Sequence, residues 1–419
     1  MQLSMQEFQP GACLSDNCDE ICMLYMTWAH NRMEIFHYCY KFKFFSKLYF
    51  LSHSKFRRIF ISSGLLSLIC STSMAALSFK PIAMPALSEL KELEQIIELG
   101  RGSIEANVAC EVNAGKNKFP VYQLALGNPD PNLPVIGFFG GIHGLERIGT
   151  QVLLNFLRGL LTRLAWDKSL HHLLQDVRLV FMPLINPGGM WQSTRCNPNG
   201  VDLMRNSPVE AEGKIPFLLG GHRISPHLPW YRGIEGAEME IENQALCRVV
   251  QKELLSRAFS IAVDCHSGFG LRDRVWFPHA HSVHPVPHLA DFIALEELLE
   301  ESYPNNRYLF EPQSLQYRTH GDIWDYLYLQ AERDKKKTFL PLTLEMGSWL
   351  WVKKNPRQLF SLQGIFNPIV EHRLNRVLRR HAVWLDFMMR AAAGHENWQV
   401  KGPSRLRLQE RAVARWYRS

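Results

Sequence analysis

Short apolar segments that alternate with stretches of helical periodicity dominate the chain after residue 77. The segments 134–139, 177–185 and 259–263 are almost wholly apolar, which is typical of strands buried on both faces of a sheet. The same reasoning predicts further strands at 121–126, 307–310 and 338–344, and helices at 149–163, 237–257, 287–303 and 370–393. This alternation predicts an α/β fold with helices on both faces of the sheet.

Composition is that of an ordinary globular protein, and the charge distribution argues against a nucleic-acid site. The chain has 419 residues, of which 46% are hydrophobic and 21% charged. Its net charge of +7 comes from the two ends, because residues 74–400 are about neutral. A nucleic-acid enzyme is expected to carry basic charge over its working face. We therefore expect no nucleic-acid partner.

The first part of the chain, residues 1–76, differs from the rest and is expected to be a poorly structured leader. The run from Lys55 to Cys70 has a basic start and a short apolar stretch, and small residues follow it. This pattern is typical of a signal peptide and is too short for a membrane span. Because the run begins well inside the chain, Met74 is an alternative start. We expect a folded domain at 77–395 and a solvated basic tail at 396–419.

The cysteines give an expectation for the compartment. Nine are present, and only Cys18 and Cys22 have a spacing typical of metal ligands, with no second pair after them. Free thiols of this kind indicate a reducing compartment. We expect a cytoplasmic protein without an integral membrane span, or a periplasmic or secreted one if segment 55–76 acts as a signal.

The segment Gly140-Gly-Ile-His143-Gly-Leu-Glu146 follows an apolar strand and places a carboxylate three residues after a histidine. Zn²⁺ binds neutral imidazole nitrogen and carboxylate oxygen, and a strand-to-helix turn can point both side chains at one ion. Taken alone, the pattern also fits a surface histidine and a glutamate at the start of a helix.

Two other predicted strands also end in residues that suit a metal site. His266 stands at the end of Ile261-Ala-Val-Asp-Cys-His266, and Glu345 follows the apolar segment 338–344. Catalytic zinc sites typically take three protein ligands and leave a fourth position for water, which His143, Glu146 and His266 fit jointly. Glu345 could take a proton from the zinc-bound water and pass it to the leaving amine.

Two arginines near a glycine-rich turn complete the polar set. Arg195 and Arg205 follow Asn186-Pro-Gly-Gly189, and the guanidinium fork suits both an oxyanion and a carboxylate. Asp202, between them in the chain, could orient a ligand histidine as a hydrogen-bond acceptor.

These residues, in this order, resemble the zinc carboxypeptidase family of the carboxypeptidase A type across most of residues 100–390. The resemblance implies one mixed, mostly parallel sheet, one Zn²⁺ and hydrolysis of a peptide bond next to a free carboxylate. It assigns Arg195 to the oxyanion, Arg205 to the substrate carboxylate, and Tyr317 to a mobile loop that closes over the substrate. The spacing from Arg195 to Asp202 resembles bacterial members that cut murein peptides, so a peptide or murein peptide is implied as substrate.

The sequence departs from the family pattern at two places and leaves alternatives open. Met204 replaces an Asn, and the bulky Trp324 stands where a side-chain-pocket residue is expected. A zinc-dependent deacylase of N-acyl amino acids, of the succinylglutamate desuccinylase or aspartoacylase type, uses the same ligands. A non-catalytic carboxypeptidase-like binding module is a third hypothesis. Two features are left with two interpretations each: the loop 207–235 as a rim element or an insertion, and the histidines 279, 281, 284 and 288 as a second metal site or a rim loop.

Overall fold

One mixed β-sheet runs through residues 87–418, the part of the chain that the computed structural model describes. Its strands lie side by side in the order β1-β2-β4-β3-β5-β8-β6-β7. They are β1 (Glu105–Ala114), β2 (Asn117–Gly127), β3 (Val135–Gly140), β4 (Arg178–Met182), β5 (Phe259–Ser267), β6 (Arg274–Phe277), β7 (Leu309–Pro312) and β8 (Thr338–Met346).

The four central strands, β4-β3-β5-β8, are parallel to one another. Strand β2 pairs with β4, and β6 with β8, in antiparallel orientation. Every residue of β3, β4 and β5 is buried, as expected for parallel strands that are covered on both faces. The predicted fold class, an α/β fold with a single mixed and mostly parallel sheet, is confirmed.

Helices cover this sheet on both sides. They are α1 (Ser88–Leu99), α2 (Arg147–Arg163), α3 (Lys168–Gln175), α4 (Pro187–Gln192), α5 (Ile241–Val249), α6 (Leu289–Ser302), α7 (Ile323–Ala331), α8 (Trp349–Lys354), α9 (Leu362–Phe366), α10 (Glu371–Ala393), α11 (His395–Trp398) and α12 (Pro403–Trp416). Short 3₁₀ turns at Leu203–Arg205, Gln313–Leu315 and Pro356–Phe360 and a π turn at Val250–Leu254 connect them.

Two glycines of β3 show which helices lie on which face. A Cβ at Gly140 would meet Leu153 of α2, whereas a Cβ at Gly137 would meet Leu254 of the π turn. Residues three apart in a strand point to opposite faces, so α2 and the α5 segment lie on opposite sides of the sheet. The long helix α10 packs against α2 and therefore belongs to the α2 side.

Most predicted elements are present, with boundaries moved by a few residues. The helix predicted at 237–257 begins only at Ile241 and ends in the π turn. Strands β1 and β6 were not predicted: β1 is largely exposed and rich in polar residues, and β6 is only four residues long. Neither carries the apolar run on which the predictions depend.

The basic end of the chain differs from the prediction. Instead of a solvated tail, residues 403–416 form α12, which packs along α6. The indole N–H of Trp416 donates to the Phe310 carbonyl oxygen at 2.9 Å, and its ring lies 4.8 Å from that of Phe277. Three ion pairs connect the helices: Arg405 with Asp291, Arg411 with Glu297, and Arg415 with Glu296. The basic side chains of α12 are thus matched by acidic side chains of α6.

Several expectations concern residues outside the described range. The leader at 1–76, with its signal-like segment, Met74, Cys18 and Cys22, lies there, as does the domain start predicted at residue 77. Within residues 87–418, no helix is long and apolar enough to cross a bilayer. The four cysteines of this range, Cys110, Cys196, Cys247 and Cys265, are not joined in disulfides.

We predict that Trp416→Ala lowers the free energy of unfolding by about 3–5 kcal/mol, because it removes a large side chain that is only 7% exposed. Urea denaturation followed by circular dichroism measures the change. Leu406→Ala on the same helix, where the side chain is 67% exposed, should change stability by less than about 0.5 kcal/mol. Equal stability of the two variants would show that α12 does not contribute to the folded state.

Candidate metal-dependent active site

The turn that carries His143 and Glu146 follows β3 and leads into α2. Asn186, which is buried, braces it: the Asn186 side chain donates to the Ile142 carbonyl oxygen at 3.0 Å and accepts from the Gly189 amide at 2.7 Å. A Cβ at Gly144 would lie 2.2 Å from the Gly189 backbone, so only glycine allows the turn to approach α4 this closely. The Asn-Pro-Gly-Gly segment therefore supports the turn.

Three of the predicted site residues converge at this point. Strand β5 lies beside β3, with Cys265 in register with Gly140, so His266 emerges next to the turn. Nδ1 of His143 lies 2.8 Å from one carboxylate oxygen of Glu146, and Nδ1 of His266 lies 3.0 Å from the other. The three side chains are buried, and their candidate ligand atoms all lie within 4.8 Å of one another.

The other nitrogen of each imidazole faces a buried carboxylate. Nε2 of His143 lies 3.1 Å from Asp202, and Nε2 of His266 lies 2.7 Å from Asp264. A carboxylate accepts an N–H, so both rings are set to carry the proton on Nε2 and to present the Nδ1 lone pair. Asp202 therefore contacts a predicted ligand histidine, as expected. Asp264 was not singled out, although its position two residues before His266 on a strand places both on one face.

The buried charges of this cluster fit a divalent cation. Burial raises the pKa of Asp202, but Arg195 and His143 outweigh it and hold that pKa well below its usual range. Burial likewise lowers the pKa of the His266 imidazole, yet Asp264 and Glu146 reverse this and leave the pKa well above its ordinary value. Buried carboxylates that force protonation of a neighbouring histidine indicate a place where positive charge is needed. Neutral imidazole and carboxylate are also the donors that Zn²⁺ prefers.

Glu345 lies at the end of β8, in register with His266 on β5. Its Oε1 accepts the Phe269 amide N–H at 3.0 Å. Burial raises the pKa of Glu345 to about 8, with a further contribution from the charge of Glu146. The predicted base is therefore next to the three candidate ligands.

Arg195 contacts the same cluster. Its Nε donates to Asp202 at 2.8 Å, and its Nη1 lies 3.3 Å from Glu146. These two contacts leave Nη2 as a further donor beside the candidate ligands, which is compatible with an oxyanion role.

Arg205 and Tyr317 lie together nearby. The guanidinium of Arg205 is buried, with the residue only 2% exposed, yet its protein contacts are weak. Nη1 reaches the Met204 carbonyl oxygen at 3.4 Å, Nε has no partner, and no carboxylate within residues 87–418 forms an ion pair with it. Tyr317 lies beside Arg205: burial raises the pKa of the tyrosine hydroxyl, and the charge of Arg205 opposes that shift. The charge of Arg205 acts on Asp202 and Asp322, but neither forms an ion pair with it, so the guanidinium can take an anionic ligand.

Two sequence expectations are modified by the structure. Trp324 is buried on α7, and its indole N–H donates to Asp264 at 2.8 Å. The ring centroids of the histidines 279 and 281 lie 4.6 Å apart, but among the described residues the only metal-like group is that of His143, Glu146 and His266. His281 instead contacts Asp325 at 2.5 Å. These contacts favour a rim loop over a second metal site at the four histidines.

Comparison with known proteins gives a family and several distant relatives. A family model described as zinc carboxypeptidase matches residues 110–348, more than half of the chain. Carboxypeptidase SOL1 of Arabidopsis thaliana is 28% identical over 95 residues, which is 22% of this chain and 19% of that protein. Carboxypeptidase D of Mus musculus is 32% identical over 91 residues, 20% of this chain and 7% of the relative. An inactive metallocarboxypeptidase of Arthroderma otae is 27% identical over 184 residues, 40% of this chain and 29% of that protein. The matches thus span less than a third of each relative.

Solved structures are similar to this fold at low sequence identity. Thrombin activatable fibrinolysis inhibitor is 18% identical with a TM-score of 0.55, and the match covers 74% of each chain. The bovine form, in complex with tick carboxypeptidase inhibitor, is 18% identical with a TM-score of 0.53, over 76% of this chain and 98% of that one. At this identity the likeness shows the fold.

We predict that Asp264→Asn weakens zinc binding by about 10–100-fold, because the amide no longer fixes the Nε2–H form of His266. Competition with a chromophoric chelator measures the dissociation constant. Asp386→Asn, at a half-buried carboxylate that pairs with Arg163 and Arg390, is the control and should bind zinc as the parent does. Equal affinity of all three proteins would contradict the assignment of His266 as a ligand.

Proposed function

Because the chain belongs to the zinc carboxypeptidase family, we propose that it is a zinc-dependent hydrolase that cleaves the amide bond next to a free carboxylate of a peptide. In this proposal three residues hold the ion: His143, Glu146 and His266. Glu345 is the general base, Arg195 stabilises the oxyanion, and Arg205 with Tyr317 binds the carboxylate.

The observation that carries the proposal is the position of Glu345 beside the three candidate ligands. Hydrolysis of an amide needs a proton acceptor next to the attacking water, and the pairing of β5 with β8 brings Glu345 alongside His266. A site that only bound metal would not need this buried carboxylate.

Arg205 supports the choice of an exopeptidase. Its guanidinium is buried, Nε has no hydrogen-bond partner, and no carboxylate of residues 87–418 forms an ion pair with it, so its fork can bind a terminal carboxylate. Tyr317 adds a hydroxyl at the same place. An N-acyl-amino-acid deacylase remains the second candidate. A peptide and an N-acyl amino acid both end in a carboxylate, so the two functions differ only in the acyl group on the other side of the cleaved amide bond.

The chemistry divides between the ion and the protein. When bound, Zn²⁺ supplies Lewis-acid activation of water and of the scissile carbonyl. Glu345, with Oε1 held by the Phe269 amide, receives the proton of the attacking water on Oε2 and returns it to the leaving amine. Arg195 offers Nη2 to the oxygen on which negative charge develops, while its Nε stays on Asp202.

Catalysis itself belongs to the proposal, because one relative is named an inactive metallocarboxypeptidase. In this chain all the groups that the mechanism requires lie together. A murein peptide as the substrate and a cytoplasmic location stay predictions.

We predict that Glu345→Gln lowers kcat by about 10²–10⁴-fold on a peptide with a free C-terminus, because the amide cannot accept the water proton. Mass spectrometry of the products measures turnover, and metal analysis should find zinc still bound. Gln363→Ala, at an exposed side chain on α9, is the control and should keep its activity. Undiminished turnover in Glu345→Gln would remove Glu345 as the base.

We predict that Arg205→Met abolishes the preference for a free C-terminus over a C-terminal amide, a loss of about 100-fold in the ratio of kcat/KM values. Methionine removes the charge and leaves no buried donors unpaired. Parallel assays of the acid and amide forms of one peptide give the ratio for parent and variant. If the variant keeps the parental ratio, another residue reads the carboxylate.

A further inference from the structure

Tyr317 lies on the loop 313–322, here called the Tyr317 loop, which is hydrogen-bonded along both of its sides. On the inner side, the Ser314 amide donates to the His279 carbonyl oxygen at 3.1 Å. The Thr319 amide donates to the Ala280 carbonyl oxygen at 3.0 Å. These bonds attach the loop to the segment that follows β6.

On the outer side lies a segment of the long loop that sequence analysis left with two interpretations. Residues 207–222, here called the strap, run beside the Tyr317 loop. The His320 amide donates to the Gly220 carbonyl oxygen and the Gly321 amide to the Val209 carbonyl oxygen, both at 2.7 Å. The Ser207 amide returns a bond to Gly321 at 3.0 Å. Backbone pairing of this density is unusual for a loop that has to move.

Arg318 adds a side-chain clamp directly after Tyr317. Its Nη1 donates to the Glu212 carbonyl oxygen at 2.6 Å, and its Nη2 donates to the Lys214 carbonyl oxygen at 3.0 Å. One guanidinium thus joins the Tyr317 loop to two points of the strap.

The start of the strap is held close to Arg205, the candidate that binds the substrate carboxylate. Arg232, which is buried, donates to the carbonyl oxygens of Arg205, Ser207 and Val209 at 3.2–3.4 Å. A Cβ at Gly221 would lie 3.3 Å from Cδ of Arg205, and a Cβ at Gly321 would lie 1.9 Å from the Arg205 carbonyl oxygen. The strap and the Tyr317 loop therefore enclose Arg205 together.

We propose that the strap holds the Tyr317 loop in this position beside Arg205 before substrate binds, and that Arg318 is a positioning residue for Tyr317. The inference rests on the proposed function for the role of Tyr317, but the clamp itself does not. A loop that is ordered beforehand loses less conformational entropy when substrate binds, so the strap lowers KM. The family's mobile loop becomes, in this chain, a pre-formed wall of the site.

Hydrogen exchange of the zinc-loaded protein without substrate tests the clamp. The amides of His320 and Gly321 are expected to be protected in the parent, and to exchange about 10–100-fold faster in Arg318→Ala, which loses two charge-assisted bonds. Arg318→Lys, which reaches one carbonyl, should fall between them. Arg223→Ala is the control, since Arg223 donates to the Gly233 carbonyl oxygen in the same long loop and forms no hydrogen bond with the Tyr317 loop.

Kinetics of the same variants give the second readout. Arg318→Ala should raise KM about 5–10-fold and leave kcat within about twofold. In this variant the loop becomes ordered only when substrate binds, and the conformational entropy lost then weakens substrate binding. Fast exchange of the His320 and Gly321 amides in the parent would contradict the proposal that the strap holds the loop. Unchanged exchange in Arg318→Ala would contradict the role given to Arg318. Absence of peptide hydrolysis in the parent would refute the proposed function alone, because exchange still decides whether the clamp exists.

Discussion

Glu146 offers one carboxylate oxygen to each of two imidazoles that reach it from neighbouring strands, and the rest of the site is arranged around this shared group. The arrangement depends on the parallel pairing of β3, β5 and β8, whose carboxyl ends meet at one edge. A slip of one residue between two of these strands would turn His266 or Glu345 to the other face of the sheet. The register between the apolar strands thus determines where the side chains of the site lie.

Outside this centre, two buried aspartates each connect a candidate ligand to a further side chain. Asp202 connects His143 to Arg195, and Asp264 connects His266 to Trp324 on α7. Trp324 follows the Tyr317 loop in the chain, so the helix that continues this loop also contacts the partner of a candidate ligand. The side of the site that faces the metal and the side that faces the substrate are therefore mechanically connected through buried hydrogen bonds.

Sequence patterns predicted the central strands and the convergence of His143, Glu146 and His266, because apolar runs and residue order are visible in one dimension. They did not predict Asp264, since a lone aspartate inside an apolar strand gives no sign of its partner. The family resemblance placed Trp324 where a side-chain-pocket residue is expected, and it gave no sign that the indole N–H donates to Asp264. The basic tail was misjudged because its charge has an internal counterpart, the acidic helix α6, that no local pattern reveals.

The position of α12 also affects how the molecule meets its neighbours. Strand β7 is the last in the sheet order, and an uncovered outermost strand offers unpaired backbone groups to strands of other molecules. Trp416 occupies one such carbonyl, that of Phe310, and its helix lies over this border. The opposite border, β1, is protected differently, by charged side chains such as Glu105 and Glu111. Loss of the last helix by proteolysis would therefore expose the outer border of β7 and favour aggregation through it.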